Sequence, residues 1–130
     1  MLVSAFTPTH DPRFLGDVYG CLRAQTYTNW EWVVVPNGDQ VPVITRTLAE
    51  IVGDDSRVRI SAYPDSLPPS SIGALKRFAC ENCRGELFLE YDHDDLITED
   101  CFAQVVKAAF DSGPNAFIYS DDVSLDEQGS

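Results

Sequence analysis

Positive charge is what this chain has little of: nine Lys and Arg stand against 21 Asp and Glu, a formal net charge of −12 over 130 residues. No basic face is available to neutralise phosphates, which excludes nucleic acid and anionic membrane surfaces as partners. A small anionic ligand would need a cation between itself and such a protein. No apolar run approaches the ~20 residues of a membrane span. The opening "MLVSAFTPTHDP" lacks the basic start and apolar stretch of a secretory leader, so the chain reads as cytoplasmic. Cysteine is sparse too. Cys21, Cys80, Cys83 and Cys101 read as reduced, buried thiols, because the Cys80–Cys83 pair has no second CxxC or HxxxH to complete a zinc site. Repeats and low-complexity segments are absent. What remains is 44% hydrophobic and 23% charged, the balance of one globular domain with a real core.

Short apolar runs alternate with helical patterns. "LVSAFT" (2–7) predicts a first strand, and Asp11 ahead of Pro12 marks a helix start. "EWVVVP" (31–36) is a continuously apolar second strand closed by "NGD", "VITRTLAEIV" (43–52) is helical, and "RVRISAY" (57–63) is a third strand. After the proline-rich "PDSLPPSS" (64–71), read as a loop, a helix runs from Ile72 to about Arg84 and "ELFLEY" (86–91) forms strand four. Thr98 is placed to cap a helix whose Phe102, Val105, Val106, Ala109 and Phe110 share a face. Gly113-Pro114 stops that helix, and "AFIYS" (116–120) is strand five. Such alternation means an α/β fold with a mostly parallel sheet covered on both faces. Ligands of such sheets bind beyond the carboxyl ends of the strands, where "TPTH", "NGD", "DHDD" and "SDD" stand here.

The densest of these is "EYDHDDLITED", with Glu90, Asp92, Asp94, Asp95, Glu99 and Asp100 in eleven residues. Two unit charges 4 Å apart repel by ~4 kcal/mol at an effective dielectric of ~20, so the crowding needs a reason. Glu99 and Asp100 fit the amino-terminal turn of the next helix. A calcium loop fails, because Leu96 and Ile97 occupy positions that need oxygen donors or glycine. A Mg²⁺ or Mn²⁺ site fits best: one or two carboxylates hold the ion, and substrate phosphates and water complete it.

Taken together, "VSAFTPTH", "CLRAQTYTNWEWVVVPNGD", "RGELFLEYDHDD" and "YSDD" resemble the amino-terminal half of an inverting family-two glycosyltransferase of the Rossmann-like GT-A fold. Gln25, Tyr27 and Glu31 match its Gln-x-Tyr-x-x-x-Glu motif, and Asn37-Gly38, Gly85-Glu86 and Asp92-His93-Asp94-Asp95 follow in the family's order. The resemblance implies one nucleotide-sugar-binding domain over 1–130, part of a larger catalytic domain, with a UDP- or GDP-linked donor and a saccharide or lipid-linked acceptor. It places Thr7, Pro8 and Thr9 against base and ribose, Asn37, Gly38 and Asp39 on the base, and Lys76 near the phosphates. Asp92 would meet the ribose or the ion, and Asp94 would ligate Mn²⁺ or Mg²⁺. His93, set among these acids, either neutralises the site without metal or lines the sugar pocket. Pro36 stands where the family has a base-contacting aspartate, which passes that contact to Asn37 or Asp39. Arg77 and Ala79 replace a usual asparagine and glycine. The family's general base lies downstream of the acidic motif; Asp121 and Asp122 are the candidates within reach, and no catalytic residue is assigned.

Blander readings hold elsewhere. Trp32 packs and Trp30 half-covers the sheet rather than stacking on a sugar. His10 is loop filler beside the base-binding edge. A phosphoacceptor receiver domain would want an acidic pair after strand one and an aspartate after strand three, where this chain has "TPTH" and "YPD". A non-catalytic module that binds a nucleotide or a partner is the alternative to an enzyme.

Overall fold

The computed structural model describes residues 1–63, 72–91 and 97–112. Within them lie β1 (Val3–Thr9), α1 (Leu15–Arg23), β2 (Trp30–Pro36), α2 (Val41–Val52), β3 (Val58–Ile60), α3 (Ile72–Glu81), β4 (Leu87–Glu90) and α4 (Cys101–Ser112). The strands form one all-parallel sheet in the order β3-β2-β1-β4. The expected "AFIYS" strand, the Gly113-Pro114 stop and the proline-rich loop lie outside the described residues.

Alternation along the strands assigns the two faces. Val3, Ala5, Trp30, Trp32, Val34, Leu89 and Tyr91 enter one core with Leu15, Val18 and Leu22 of α1, Ile44 and Leu48 of α2, and Phe102 and Val106 of α4. Phe6, Val33 and Val35 point the other way, against Leu75 and Ala79 of α3. Helices thus cover both faces, as the near-continuous apolar runs required. Phe110 departs from expectation. It is 68% exposed, because its position on α4 falls beyond the stripe that Phe102, Val105, Val106 and Ala109 bury. Trp30 departs in the opposite sense: only 2% exposed, it is roofed by the Arg57 guanidinium 3.9 Å above its ring.

The amino ends of the strands are joined by a buried carboxylate. Glu31 of β2 accepts the Ser4 hydroxyl of β1 at 2.5 Å, the Arg84 N–H ahead of β4 at 2.6 Å and Arg59 Nε of β3 at 3.2 Å. Gly85 N–H donates to Ser4 Oγ at 2.8 Å. Burial alone would raise the Glu31 pKa, but these donors hold it below the usual carboxylate range. Gly85 is required by the closeness of this approach: a Cβ there would lie 2.5 Å from Ser4 Oγ and 2.6 Å from the Leu2 carbonyl. Glu86 closes the clasp by accepting the Leu2 N–H at 3.1 Å.

Two helix starts differ from the sequence expectation. Asp11 accepts the Arg13 N–H in a side-chain turn, which delays α1 to Leu15. At α4, Thr98 turns its hydroxyl to Asp100, and Gln25 caps the helix from 77 positions away, accepting the Phe102 N–H at 3.0 Å. The Gln25 amide nitrogen donates to Thr98 O at 2.7 Å. Tyr27 completes the motif by donating its hydroxyl to Met1 O.

Gly85→Ala should destabilise the fold by ~1–3 kcal/mol through overpacking, read as a lower urea midpoint at unchanged slope. A second test uses pH. Asp55 forks onto Arg57 Nε and Nη2, both at 3.1 Å, and accepts the Tyr19 hydroxyl at 2.7 Å. The Arg57 bonds hold its pKa at about 2, against an ordinary 3.8. A depressed carboxylate stabilises the fold fully above its unfolded pKa, and that stabilisation drains away as pH falls toward 2. Asp55→Asn should therefore flatten the acid limb of the stability curve below about pH 4 while lowering stability at neutral pH.

Candidate functional site at the carboxyl edge of the sheet

All four strands end on the same edge, and the two central ones, β1 and β2, finish in register at Thr9 and Pro36. Proline in a central strand is normally excluded, since it cannot donate to the ladder. Pro8 is tolerated because pairing of β1 with β4 has already stopped at Phe6 and Glu90. The Tyr91 N–H makes the last bond, to Phe6 O at 2.9 Å. The Tyr91 carbonyl, which an N–H at position 8 would have met, instead accepts the Thr7 hydroxyl at 2.5 Å. Thr7 Oγ1 also accepts Trp32 Nε1 at 2.8 Å. Thr7 is fully buried, so its side chain is a strut beneath the edge; of the residues flanking it, Phe6 is buried as well and Pro8 is part-exposed.

Thr9 is likewise turned inward: its hydroxyl accepts the Asp11 N–H at 3.2 Å and donates to Asp11 O at 2.9 Å. The Thr9 carbonyl accepts both the backbone N–H of Asn37, at 3.0 Å, and its side-chain Nδ2, at 3.1 Å. Asn37 Nδ2 reaches Val35 O as well, at 3.3 Å. With its amide nitrogen committed to two carbonyls, Asn37 keeps its side-chain oxygen as its remaining acceptor. Gly38 follows at φ +80°, a left-handed conformation that favours glycine, with its Cβ position 3.6 Å from His10 Cβ. Gly38–Gln40 then form one 3₁₀ turn, with Asp39 exposed, before α2 begins. The structure therefore brings Pro8, Thr9, His10, Asn37, Gly38 and Asp39 together at the ends of β1 and β2.

Lys76 reaches the edge from the opposite face. α3 runs back along the sheet, so its first turns stand at the carboxyl edge while Arg84, beyond its end, binds Glu31 at the amino edge. Lys76 Nζ lies 3.0 Å from Glu90 Oε2, at the last residue of β4. Glu90 was legible in the sequence only as one more acid of the cluster. Its pairing follows from strand alternation, which turns Leu89 into one core and Glu90 toward α3.

Asp92, His93, Asp94 and Asp95 lie outside the described residues, as do Asp121 and Asp122. Among the described residues no three His, Cys, Asp or Glu side chains gather as a metal site would require. The cysteines are free thiols, with Cys101 buried and the others half-buried; burial pushes Cys83 up to about 12 and Cys101 up to about 11. No helix among the described residues is long and apolar enough to cross a membrane.

A parallel sheet wrapped by helices, with polar residues gathered at its carboxyl edge, is an open α/β architecture of the kind that binds ligands at that edge. Comparison with known proteins narrows the class. The chain is 31% identical over 133 residues to the O-antigen biosynthesis protein RfbC of Myxococcus xanthus, covering 98% of this chain and 10% of that protein. It is 30% identical over 132 residues to the uncharacterised protein y4gI of Sinorhizobium fredii, covering 99% of this chain and 14% of that protein. No family model matches. Among solved structures, Staphylococcus aureus TarS 1–349 in complex with UDP-GlcNAc superposes with a TM-score of 0.66 at 22% identity, over 82% of this chain and 30% of TarS. The mannosyltransferase PcManGT of Pyrobaculum calidifontis, in complex with GDP-Man and Mn²⁺, gives 0.61 at 23%, over 81% of this chain and 31% of the enzyme. The chain shares the fold of TarS and PcManGT, and it spans 10% and 14% of the length of the two curated relatives it matches.

Thr7→Val, which keeps the shape and removes both hydroxyl bonds, should cost ~1–3 kcal/mol by taking the buried Trp32 Nε1 from its acceptor and the Thr7 bond from Tyr91 O. A thermal midpoint lowered by several degrees, with far-UV dichroism unchanged, checks it.

Proposed function

We propose that these residues form the nucleotide-sugar-binding part of a glycosyltransferase that acts in cell-surface polysaccharide synthesis, transferring a sugar from a nucleoside-diphosphate donor to an acceptor hydroxyl. The observation that carries this reading is the junction of Thr9 with Asn37-Gly38, which fixes a polar, backbone-rich ledge at the edge where parallel sheets bind ligands. It is supported by the fold shared with TarS in complex with UDP-GlcNAc and with PcManGT in complex with GDP-Man and Mn²⁺. Because the chain spans 10% and 14% of its curated relatives, the activity of the larger protein is part of the proposal.

In this reading the Asn37 oxygen accepts an N–H of the base, with Gly38 leaving room for it and Asp39 beside it, while Pro8 borders the ribose and the buried Thr9 braces Asn37 from beneath. Thr7 acts from beneath by holding Tyr91 and Trp32. Lys76 approaches the phosphates, His93 lines the pocket, and Asp92 and Asp94 would hold Mn²⁺ or Mg²⁺. Such an ion would supply charge stabilisation for the departing diphosphate. An acidic protein needs that ion to accept so anionic a ligand.

Calorimetric titration of UDP and GDP, each with Mn²⁺ and with EDTA, tests the reading. Metal-dependent binding of one of them is expected, and Asp94→Ala should abolish it in a protein that still folds. Binding unchanged by that substitution, or absent from the folded parent chain, would overturn the assignment.

A further inference from the structure

The Cys80-x-x-Cys83 pair closes the end of α3 beside the clasp of the amino edge. The Cys83 N–H donates to Cys80 O at 3.1 Å. A four-residue turn closed in this way holds its first and last Cα atoms within ~7 Å of one another. A disulfide spans ~4.4–6.8 Å between the same atoms, so the backbone already has the reach of one. Both side chains also lie on one side of the turn, packed against the apolar cluster of Phe6, Val33, Val35, Leu75 and Ala79. They are free thiols, half-buried rather than sealed. Cys83 is where the clasp begins. Its thiol donates to Ala79 O at 3.3 Å, and the next two N–H groups, of Arg84 and Gly85, donate to Glu31 and Ser4. Asn82, inside the motif, gives its carbonyl to Arg59 Nη2 and its side-chain oxygen to the Ser61 hydroxyl.

We infer that Cys80 and Cys83 form a reversible intrachain disulfide, made by exchange with a small-molecule disulfide such as oxidised glutathione, and that this bond locks the turn carrying the clasp. In the exchange one cysteine thiolate attacks a sulfur of the reagent and expels a thiolate. The second cysteine then attacks the protein sulfur of the mixed disulfide and expels the other half. The pair loses two protons and two electrons, and the reagent is reduced to two thiols. Cys80 attacks first, because Cys83 is the harder to ionise. Burial, with Cys80 and Glu31 beside it, pushes the Cys83 thiol up to about 12 against the lowering pull of Ser4 and Arg59. Cys80 is raised too, by burial and by Glu90 and Glu81. Exchange is therefore slow at neutral pH. Once made, the bond persists, since a reduced pair that gains nothing from thiolate stabilisation draws the equilibrium back only weakly.

The test is incubation of the full chain with oxidised glutathione at about pH 8, where thiolate becomes available, followed by intact mass and thiol counting. The expected product is two hydrogens lighter, with Cys80 joined to Cys83 in a peptide map and Cys21 and Cys101 still reduced. Its rate of formation should rise about tenfold per pH unit, as the thiolate fraction does. Cys83→Ser should stop at a mixed disulfide of Cys80 with glutathione. In the oxidised parent, hydrogen exchange at the Arg84 and Gly85 amides should slow roughly fivefold or more, and the thermal midpoint should rise. A folded parent that keeps all its thiols while the urea-unfolded chain oxidises would overturn the inference. So would a mixed disulfide that persists on the parent, or a bond to Cys21 or Cys101. A disulfide that forms but leaves exchange at Arg84 and Gly85 unchanged, or faster, would overturn the lock. A serine variant that fails to fold leaves the parent measurements decisive. No nucleotide enters any of these readouts, so the outcome is independent of what the chain binds.

Discussion

Everything at the carboxyl edge depends on a carboxylate at the opposite edge. Glu31 accepts from β1 through Ser4, from β3 through Arg59 and from the start of β4 through the Arg84 N–H. A buried charge left without such partners would cost several kcal/mol, of order ~3–5 when one side of a pair is lost. The amino ends of the strands are therefore fixed in register by the requirement that this one group be satisfied. With the strands clasped at one end, the loops at the other end can carry polar residues without disturbing the register. That division of labour is what a strand-end binding site needs.

The same logic explains why a motif shared with glycosyltransferases need not touch a ligand. Gln25, Tyr27 and Glu31 lie far from the ledge at Thr9 and Asn37, and each spends its polar groups on backbone or buried partners. Gln25 ties the start of α4 to the end of α1, while Thr7 ties down Tyr91 at the end of β4. The two ends of the stretch that carries the acidic cluster are thus anchored by buried side chains. Positioning of this kind is done by the scaffold, and loops placed on it can vary in chemistry.

The charge balance points the same way. Arg57 roofs Trp30 and forks onto Asp55, Arg59 serves Glu31, and Lys76 faces Glu90. Each of these cations is matched to a group of the protein itself. A chain of net charge −12 that binds a diphosphate must then borrow positive charge, which is the physical case for a divalent ion in the proposed site.

Much of this was legible in the residues. Continuously apolar "EWVVVP" could only be a strand buried on both faces, and "NGD" after it could only be a turn, as Gly38 at φ +80° bears out. Lys76, which the family resemblance put near the phosphates, stands beside Glu90 at the end of β4. Other features could not be read, because they depend on partners distant in sequence. The α4 cap comes from Gln25, not from the adjacent Thr98; α1 starts late because Asp11 bonds Arg13 first; Trp30 is buried because Arg57 folds over it. Thr7 looked like a ligand-facing residue at the end of a strand, and only the arrival of Trp32 and Tyr91 on either side of it turned its hydroxyl inward. Local patterning determined the elements, their order and the edge where chemistry gathers, since periodicity and turn chemistry are properties of neighbouring residues. Which polar side chains face a ligand and which hold the frame was decided by tertiary structure, because a hydrogen-bonding group commits to whichever partner folding brings within reach.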